Sequence, residues 1–236
     1  MKQMCIVKAG STYPDIAEQH GDFEDWVEAG LGLPSEAVRV IDVSLMGRLP
    51  RPDAVQGVVI TGAHEMVTDG APWMEQVCGW LRKLVDEGVP ILAICYGHQL
   101  LAHALGGEVG YHPEGREVGT VTVRCHSSVR QDPLFSVLPD IFPAQSSHAQ
   151  SVLALPPNTI TLASSDFEPV HAFRVGDNAW GVQFHPEFTE AVMRCYVYKQ
   201  RDVLAEQGRD ADRVAGAVTA SPAGDMLQQF GGLSNE

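Results

Sequence analysis

The sequence predicts an α/β protein with an open, mixed and mostly parallel sheet, helices on both faces and antiparallel strands added at one side. Up to Gly107, short apolar runs alternate with segments of helical periodicity. Beyond Gly107, apolar and polar residues alternate one by one, which is typical of antiparallel strands. The chain has 236 residues, 44% hydrophobic and 19% charged, a composition that suits one large domain with a substantial core.

Three buried strands are predicted in the first part of the chain, at residues 4–7, 38–43 and 57–61. Each is a short run rich in apolar and β-branched side chains, the composition that favours strands. A helix is expected around Trp26, between the first two strands. The third run ends at Gly62, and in an open α/β sheet ligands bind where parallel strands end. An ordinary strand-to-loop turn explains this glycine equally well.

A further helix is predicted from Asp69 to Gly88, because Asp69 and Pro72 favour a helix start and Gly88 favours its end. The apolar residues that recur there at helical spacing are Trp73, Val77, Trp80, Leu81, Leu84 and Val85. We interpret both tryptophans as core residues rather than as part of a cofactor site. The next strand, residues 91–94, follows directly, and this alternation of strands and helices predicts a doubly wound sheet.

The second part of the chain is predicted to add antiparallel strands to that sheet. Strands are expected at residues 118–123, 141–145 and 159–163. Residues 170–175 and 179–184 are predicted to form a hairpin, since they are joined by the turn-forming sequence Gly-Asp-Asn.

The last part of the chain is predicted to begin with a helix from residue 188 to about residue 205, packing Val192, Cys195, Tyr196 and Val203 on one face. Residues 1–207 then form one domain, and residues 208–236 form a tail rich in Ala, Gly and Asp. A short helix is expected near the end of the tail, around residues 225–230. A lid, a dimer contact and a loose end are all compatible with this composition.

The candidate reactive residue is Cys95, which stands between the apolar run 91–94 and a helix-like segment that ends at Gly107. A side chain on a sharp strand-to-helix turn is pushed out of the sheet, and the small Gly97 lets the turn close, as in the serine nucleophile elbow. The unpaired N–H groups and the dipole of a helix start favour a thiolate there. Taken alone, Cys95 fits a buried small hydrophobe as well.

Two motifs carry a resemblance to a known family, AICYGHQ at residues 93–99 and FHPE at residues 184–187. In this order they resemble the class I glutamine amidotransferase family, and most of all stand-alone chains similar to the glutaminase domain of GMP synthase. The resemblance extends from about the first predicted strand to the helix after His185. It implies a flavodoxin-like sheet.

The resemblance implies a catalytic triad of Cys95, His185 and Glu187. The thiolate would attack the side-chain amide carbonyl of glutamine, the imidazole would protonate the departing ammonia, and the carboxylate would orient the imidazole. His185 and Glu187 are two residues apart, so in an extended segment they project to the same side. Alone, His185 would more often be a structural histidine, and its combination with Cys95 is what favours catalysis.

The resemblance also implies an oxyanion hole made of the backbone N–H groups of Gly62 and Tyr96. Two N–H groups aimed at the developing oxyanion would stabilise the tetrahedral intermediate. The sequence departs from the family pattern nearby. Ala63 and His64 stand where the family usually has Gly-Pro, and Ala93 stands where it usually has Gly, so a methyl group is expected to crowd the turn slightly.

Three residues are expected to bind the substrate. Gln99 lies one helical turn after Cys95, where its amide could reach a bound amino acid. Ser147 and His148 resemble the family's Ser-His segment, whose backbone helps hold the glutamine. The alternatives are a solvated helix residue for Gln99 and a polar loop with a satisfied histidine for the other two.

Composition excludes several other classes of function. The formal net charge is -14 and no Lys/Arg run occurs, which argues against a nucleic-acid partner. The five cysteines are odd in number and lack CxxC spacing, which predicts reduced thiols in a cytoplasmic protein. No signal peptide and no membrane span are expected. No cofactor and no metal site are predicted, since neither an HExxH nor a GxxxxGK[ST] motif occurs.

The leading hypothesis is a glutamine amidotransferase that hydrolyses L-glutamine, alone or with a separate synthase subunit. The second is a γ-glutamyl peptidase, in which the same triad cleaves a γ-glutamyl amide with a leaving group larger than ammonia. The third is a non-catalytic binding or thiol-sensing protein on the same scaffold, against which the joint presence of Cys95, His185 and Glu187 argues. The natural acceptor and assembly into a homo-oligomer stay open.

Overall fold

Strands and helices alternate along the chain in a computed structural model that describes residues 2–45 and 47–233. The first residue of the predicted 1–207 domain and the last three residues of the predicted 208–236 tail lie outside the described residues. The strands are β1 Gln3–Lys8, β2 Val38–Asp42, β3 Val55–Ile60, β4 Ile91–Ile94, β5 Glu108–Tyr111, β6 Glu117–Cys125, β7 Ile141–His148, β8 Gln150–Ala154, β9 Thr159–Ser164, β10 Ala172–Val175 and β11 Ala179–Val182. The α-helices are α1 Pro14–His20, α2 Phe23–Leu31, α3 Met74–Asp86, α4 Tyr96–Ala104, α5 Glu190–Lys199, α6 Arg201–Glu206, α7 Ala211–Gly216 and α8 Asp225–Leu233.

Nine strands form one sheet in the order β2-β1-β3-β4-β11-β10-β9-β6-β7. From β2 to β11 all neighbours pair parallel, and we call these five strands the parallel half. From β11 onward all neighbours pair antiparallel, and we call β10, β9, β6 and β7 the antiparallel half. The predicted fold class is therefore confirmed, including the antiparallel strands at one side and the hairpin of β10 and β11.

Helices cover the parallel half on both faces. Successive residues of a strand point to opposite faces of the sheet, so each strand contributes side chains to two different cores. In β3, Val58 and Ile60 lie in a core that includes apolar residues of α3 and α4. Val59, between them, lies in a second core that includes residues of α2 and α8. The apolar run of β4 is fully buried between these layers, as expected for a central parallel strand.

The helix predicted from Asp69 begins later than expected. Residues Val67–Asp69 form a short 3₁₀ turn that is closed by Gly70 in the left-handed conformation, and α3 starts only at Met74. Asp69, which was taken as part of the helix start, therefore belongs to the turn before it. The interpretation of Trp73 and Trp80 as core residues is confirmed, since both are buried.

Two strands and one helix break were not predicted. The short β5 and β8 pair with each other as a separate two-stranded sheet. The helix expected over residues 188–205 is divided into α5 and α6, which meet at Gln200. Its predicted apolar face is wrong in part, because Met193 and Val197 are buried while Cys195 and Val203 are only half-buried.

The chain after residue 208 packs on the body of the protein through its last helix. Met226, Leu227 and Phe230 of α8 are buried in the same core as Val27 and Leu31 of α2. Burial of one such side chain contributes about 2 kcal/mol. None of the helices in the described part of the chain combines the length and the apolar character that a membrane span requires.

Candidate active site

Cys95 lies directly after β4 and immediately before α4, in a backbone conformation that L residues rarely adopt. Its φ is 49° and its ψ is -100°. Its N–H donates to the carbonyl of Val182 in β11 at 2.8 Å, and its own carbonyl accepts from the N–H of Gln99 at 3.1 Å. The strained turn is thus held by a strand on one side and by the first helical turn on the other, as is common at functional sites.

Gly97 allows α4 to approach the sheet closely. A Cβ atom at this position would stand 2.8 Å from the carbonyl oxygen of Ile60 and 2.9 Å from the Cβ atom of Ile60. The methyl group of Ala93, which was expected to crowd the turn, is buried within β4 opposite Gly181 of β11, and the pairing of the two strands continues past it. The departure from the family pattern at Ala93 therefore leaves the turn intact.

His185 and Glu187 form a buried pair that faces Cys95. The Nδ1 atom of His185 lies 2.7 Å from Oε1 of Glu187. Because the carboxylate accepts, Nδ1 carries the hydrogen, and Nε2 is left for the Cys95 side chain, which lies within hydrogen-bonding reach of the imidazole. The ring stacks on Phe188 with centroids 4.0 Å apart. These contacts fix the orientation of the imidazole.

The electrostatic surroundings favour a charged His185. Burial opposes the charge, but the carboxylate of Glu187 and the sulfur of Cys95 outweigh it and raise the pKa of His185. The imidazole therefore keeps its proton at neutral pH and loses it as the pH rises through the raised pKa. By contrast, burial raises the pKa of the Cys5 and Cys78 thiols to about 11, which keeps them neutral and unreactive.

The two residues predicted to form the oxyanion hole lie beside the other candidates. Gly62 follows β3, and a Cβ atom there would stand only 2.9 Å from Cε1 of His185. Tyr96 is the first residue of α4, so its backbone N–H is at the helix start, while its ring lies in the core 5.9 Å from that of Trp73. Gly62 thus adjoins the histidine, and Tyr96 adjoins the cysteine.

The three predicted substrate-binding residues line the same cavity as Cys95. Gln99 is only 4% exposed and is therefore not a solvated helix residue. Its Nε2 donates to the carbonyl of Gln150 at 2.7 Å. The carbonyl of Ser147 accepts from Sγ of Cys95 at 3.7 Å, and the hydroxyl of Ser147 accepts from Nε2 of Gln200 at 2.8 Å.

His148 belongs to a buried network centred on Glu117, which the sequence did not reveal. Oε2 of Glu117 lies 3.1 Å from Nε2 of His148 and 3.2 Å from Nε2 of His171, and it accepts from the hydroxyl of Ser146 at 2.7 Å. Nδ1 of His148 donates to the carbonyl of Gln150 at 3.0 Å. Burial opposes a charge on Glu117, but its histidine partners outweigh this and hold its pKa well below the usual range.

A cavity of about 260 Å³ opens above these residues. We call the part lined by Gln99, Ser147, His148 and Gln150 its polar side, which adjoins Cys95. We call the part lined by Tyr13, Phe23, His64 and Tyr196 its aromatic side, which adjoins His185. Tyr13, Phe23 and Arg116, which also lines the cavity, were not predicted as site residues. Tyr196 was predicted as a packing residue only, and no motif marks any of these positions.

The α/β sheet carries a strained cysteine at a strand-to-helix turn, opposite a buried His–Glu pair, which is the arrangement that a cysteine nucleophile requires. Residues 38–201 match the family model described as Glutamine amidotransferase class-I. The chain belongs to the class I glutamine amidotransferase family. The resemblance carried by the two motifs is confirmed.

The chain is similar to relatives of two different named activities. The chain is similar to γ-glutamyl peptidase 4 of Arabidopsis thaliana, with 29% identity over 163 residues that cover 67% of this chain and 63% of the relative. It is also similar to the glutamine-hydrolysing GMP synthase of Mycobacterium tuberculosis (strain ATCC 25618 / H37Rv), with 40% identity over 131 residues, 55% of this chain and 23% of the synthase. The matched segments thus cover less than two thirds of either relative.

Solved structures support the fold over the full chain. A glutamine amidotransferase from Thermotoga maritima superposes with a TM-score of 0.72 at 19% identity, covering 100% of this chain and 99% of the other. A glutamine amidotransferase from Methylobacillus flagellatus gives a TM-score of 0.72 at 20% identity, covering 98% of this chain and 91% of the other. At such low identity these likenesses concern the fold alone.

Proposed function

We propose that this protein hydrolyses the side-chain amide of L-glutamine to glutamate and ammonia through a thioester at Cys95. The observation that carries the proposal is the strained Cys95 within reach of an imidazole whose other nitrogen lies 2.7 Å from the carboxylate of Glu187. The GMP synthase similarity supports glutamine as the substrate and a separate synthase subunit as the acceptor of ammonia. We place this activity in the cytoplasm, the compartment that fits reduced cysteines.

The first step is attack of the Cys95 thiolate on the amide carbonyl. The positive charge favoured on His185 stabilises the thiolate beside it, and the helix start at Tyr96 adds a further favourable field. As the carbon becomes tetrahedral, its oxygen takes negative charge. The backbone N–H groups of Gly62 and Tyr96 donate hydrogen bonds to this oxygen. In other enzymes, each such donor contributes about 10²- to 10³-fold to the rate.

In the second step the carbon–nitrogen bond breaks. His185 gives the proton on Nε2 to the leaving nitrogen, which departs as ammonia, and the acyl group stays on the sulfur as a thioester. Water then attacks the thioester with His185 as general base, releasing glutamate and restoring Cys95. Glu187 stabilises the charged imidazole in both steps.

The polar side of the cavity binds the γ-glutamyl group. The amide nitrogen of Gln99 is engaged by Gln150 and Gln183, so its oxygen is the atom left to accept from a substrate N–H. The backbone of Ser147 and His148 passes beside Cys95 and supplies further contacts. Because Glu117 anchors the imidazole of His148, it holds this segment in place.

A second candidate function is a γ-glutamyl peptidase with the same residues in the same roles. It is favoured by the aromatic side of the cavity, which leaves space next to His185, and by His64 in place of the residue usual in the family. The similarity to a γ-glutamyl peptidase supports it as well. The two functions differ only in the size of the leaving group.

The test measures glutamate release from L-glutamine and from γ-glutamyl peptides by the purified chain. The wild type is compared with Cys95→Ala and with Cys125→Ala, a matched control because Cys125 is half-buried and does not line the cavity. We expect the rate of glutamate release to fall by about 10⁴-fold or more in Cys95→Ala and to be retained in Cys125→Ala. Turnover of glutamine above peptides supports the glutaminase, and the reverse supports the peptidase. Absence of Cys95-dependent turnover of every substrate overturns the proposal.

A further inference from the structure

The leaving group of a γ-glutamyl amide has a defined place in this cavity. Its nitrogen takes a proton from His185, so any substituent on that nitrogen extends past His185 rather than toward Gln99. On the aromatic side, the ring of Phe23 lies 6.2 Å from that of His185, and the rings of His64, Tyr13 and Tyr196 follow it along the cavity. The chemistry of this side therefore selects which amines can leave.

The aromatic side is a set of mutually packed rings, in which His64 is exposed, Tyr13 is half-buried, and Phe23 and Tyr196 are buried. The ring centroids of Tyr13 and His64 are 4.3 Å apart, and those of His64 and Tyr196 are 5.7 Å apart. Phe23 lies between His64 and His185, with centroids 6.2 Å from each. The hydroxyl of Tyr196 is fixed by the hydroxyl of Thr12 at 2.7 Å and by Nε2 of His64 at 3.1 Å. Such a surface favours contact with another ring.

The surroundings of His64 favour the uncharged form of its imidazole, although part of the residue is exposed to solvent. Burial, aided by the charges of His185 and Arg116, lowers the pKa of His64 against the opposing effect of Glu65. An uncharged His64 can pack against the tilted ring of Tyr13 and share a hydrogen bond with Tyr196.

Arg116 is the one lysine or arginine among the described residues that line the cavity. Its Nη1 donates to the neutral amide oxygen of Gln200 at 3.1 Å, and no ion pair joins it to a carboxylate in the described part of the chain. Gln200 follows Tyr196 by one helical turn, so the guanidinium lies beside the aromatic side. A half-buried guanidinium without an anionic partner is suited to bind a carboxylate of a ligand.

We propose that the aromatic side and Arg116 together form a leaving-group subsite for γ-glutamyl dipeptides whose second residue is an aromatic α-amino acid. The ring of that residue packs on Tyr13 and His64, which Tyr196 supports from below, and its carboxylate pairs with Arg116. The inference rests on the proposed function, because it uses the same thioester at Cys95.

The reaction at this subsite balances without a further reactant. The sulfur of Cys95 bonds to the γ-carbonyl carbon, and the bond from that carbon to the amine nitrogen of the second residue breaks. The proton of His185 passes to this nitrogen, so the aromatic amino acid leaves as a free amine. Water hydrolyses the thioester to glutamate and the thiol.

The experiment measures kcat/KM for L-glutamine, γ-Glu-Gly, γ-Glu-Phe and γ-Glu-phenylalaninamide, which lacks the carboxylate. For the wild type we expect γ-Glu-Phe to exceed γ-Glu-Gly by about tenfold. Arg116→Gln is expected to lower kcat/KM for γ-Glu-Phe by about 10- to 100-fold and for the phenylalaninamide by about threefold or less. Arg116→Lys, which keeps the charge but loses the planar fork, should give an intermediate loss.

The matched control is Arg124→Gln in β6, the strand that begins directly after Arg116, since Arg124 pairs with Asp166 in solvent and does not line the cavity. It should leave all four values within about twofold of wild type. Thermal melting of each variant checks that it is folded.

Each outcome decides between the proposals. Equal kcat/KM for γ-Glu-Gly and γ-Glu-Phe overturns the aromatic preference. An equal loss on the phenylalaninamide and on γ-Glu-Phe in Arg116→Gln shows that Arg116 holds the γ-glutamyl part, which overturns its assignment. If glutamine is the only substrate with Cys95-dependent turnover, the subsite is overturned and the proposed function is retained. If none of the four substrates shows Cys95-dependent turnover, the proposed function itself is overturned.

Discussion

The parallel half and the antiparallel half of the sheet hold their candidate site residues by different means. In the parallel half, Cys95 and Gly62 follow the strands β4 and β3, whose side chains are almost entirely apolar and buried. In the antiparallel half, Glu117, His148 and Ser146 are buried as well, but they are joined by hydrogen bonds between polar side chains. One half thus places a strained turn by packing, and the other places a candidate binding segment through a polar network.

The two means respond differently to substitution. A packed apolar core loses stability gradually, in proportion to the volume that is added or removed. A buried polar network fails abruptly, because removing one member leaves the others buried without a partner. Substitutions in the parallel half should therefore cause small changes in stability. Substitutions in the polar network of the antiparallel half should cause large changes in both stability and binding.

The largest effect is expected where the two halves meet, at the His185–Glu187 pair. His185 follows β11 of the parallel half, and its backbone N–H donates to the carbonyl of Gln145 in β7 at 2.8 Å. Glu187→Gln removes the negative charge that raises the pKa of His185. We expect kcat/KM to fall by about 10²- to 10⁴-fold. The alkaline limb of its pH profile should move to lower pH by about one unit or more, because the proton is then lost more easily.

The control for this prediction is Glu190→Gln, since Glu190 lies at the start of α5 and its side chain is exposed to solvent. It should change kcat/KM by less than about threefold and leave the pH limb in place. An alkaline limb that stays where it is in Glu187→Gln would show that the carboxylate does not set the charge of His185.

The second effect in size is expected from Glu117→Gln, at the centre of the polar network. The change leaves His148 and His171 without their carboxylate, and breaking a buried pair in this way costs about 3–5 kcal/mol of unfolding free energy. KM should rise as well, because the Ser147–His148 segment is no longer anchored. Urea unfolding and steady-state kinetics measure the two effects.

The pH dependence of stability gives the network a separate signature. The folded-state pKa of Glu117 lies below its ordinary value of 4.5, so its stabilisation is complete above that value and is lost as the pH falls through the folded pKa. Glu117→Gln should lack this acid limb. Glu108→Gln, an exposed glutamate on β5, is the control and should keep it. A loss below about 1 kcal/mol in Glu117→Gln would show that the network is not what holds this half together.

The same contrast explains how much of the molecule could be predicted from sequence. Apolar runs and glycines are local signals, so the strands of the parallel half, the turn at Cys95 and the hairpin of β10 and β11 were predicted. The FHPE motif is local too, and it led to the His185–Glu187 pair. Glu117 was missed, because its partners His148 and His171 lie far along the chain and no short pattern links them.

The aromatic side of the cavity was missed for a related reason. Tyr13 precedes α1, Phe23 begins α2 and Tyr196 lies within α5, so only the tertiary fold brings their rings together. Each of these residues is ordinary in its local context. The break at Gln200, where α5 gives way to α6, was likewise invisible, since neither Gly nor Pro marks it.

The smallest effect is expected from Gly97→Ala, which tests packing in the parallel half. The added methyl group would meet the backbone carbonyl and the Cβ atom of Ile60 at less than 3.0 Å, and such overpacking costs about 1–3 kcal/mol. Alanine favours a helix over glycine by about 1 kcal/mol, which offsets part of the cost. Gly79→Ala in α3 is the matched control, because a methyl group there meets only a side-chain atom of Arg82 at 4.0 Å. Gly79→Ala should therefore raise the urea midpoint of unfolding while Gly97→Ala lowers it. If both changes raised it, the close approach of α4 to β3 would not constrain the turn, and the strain at Cys95 would need another source.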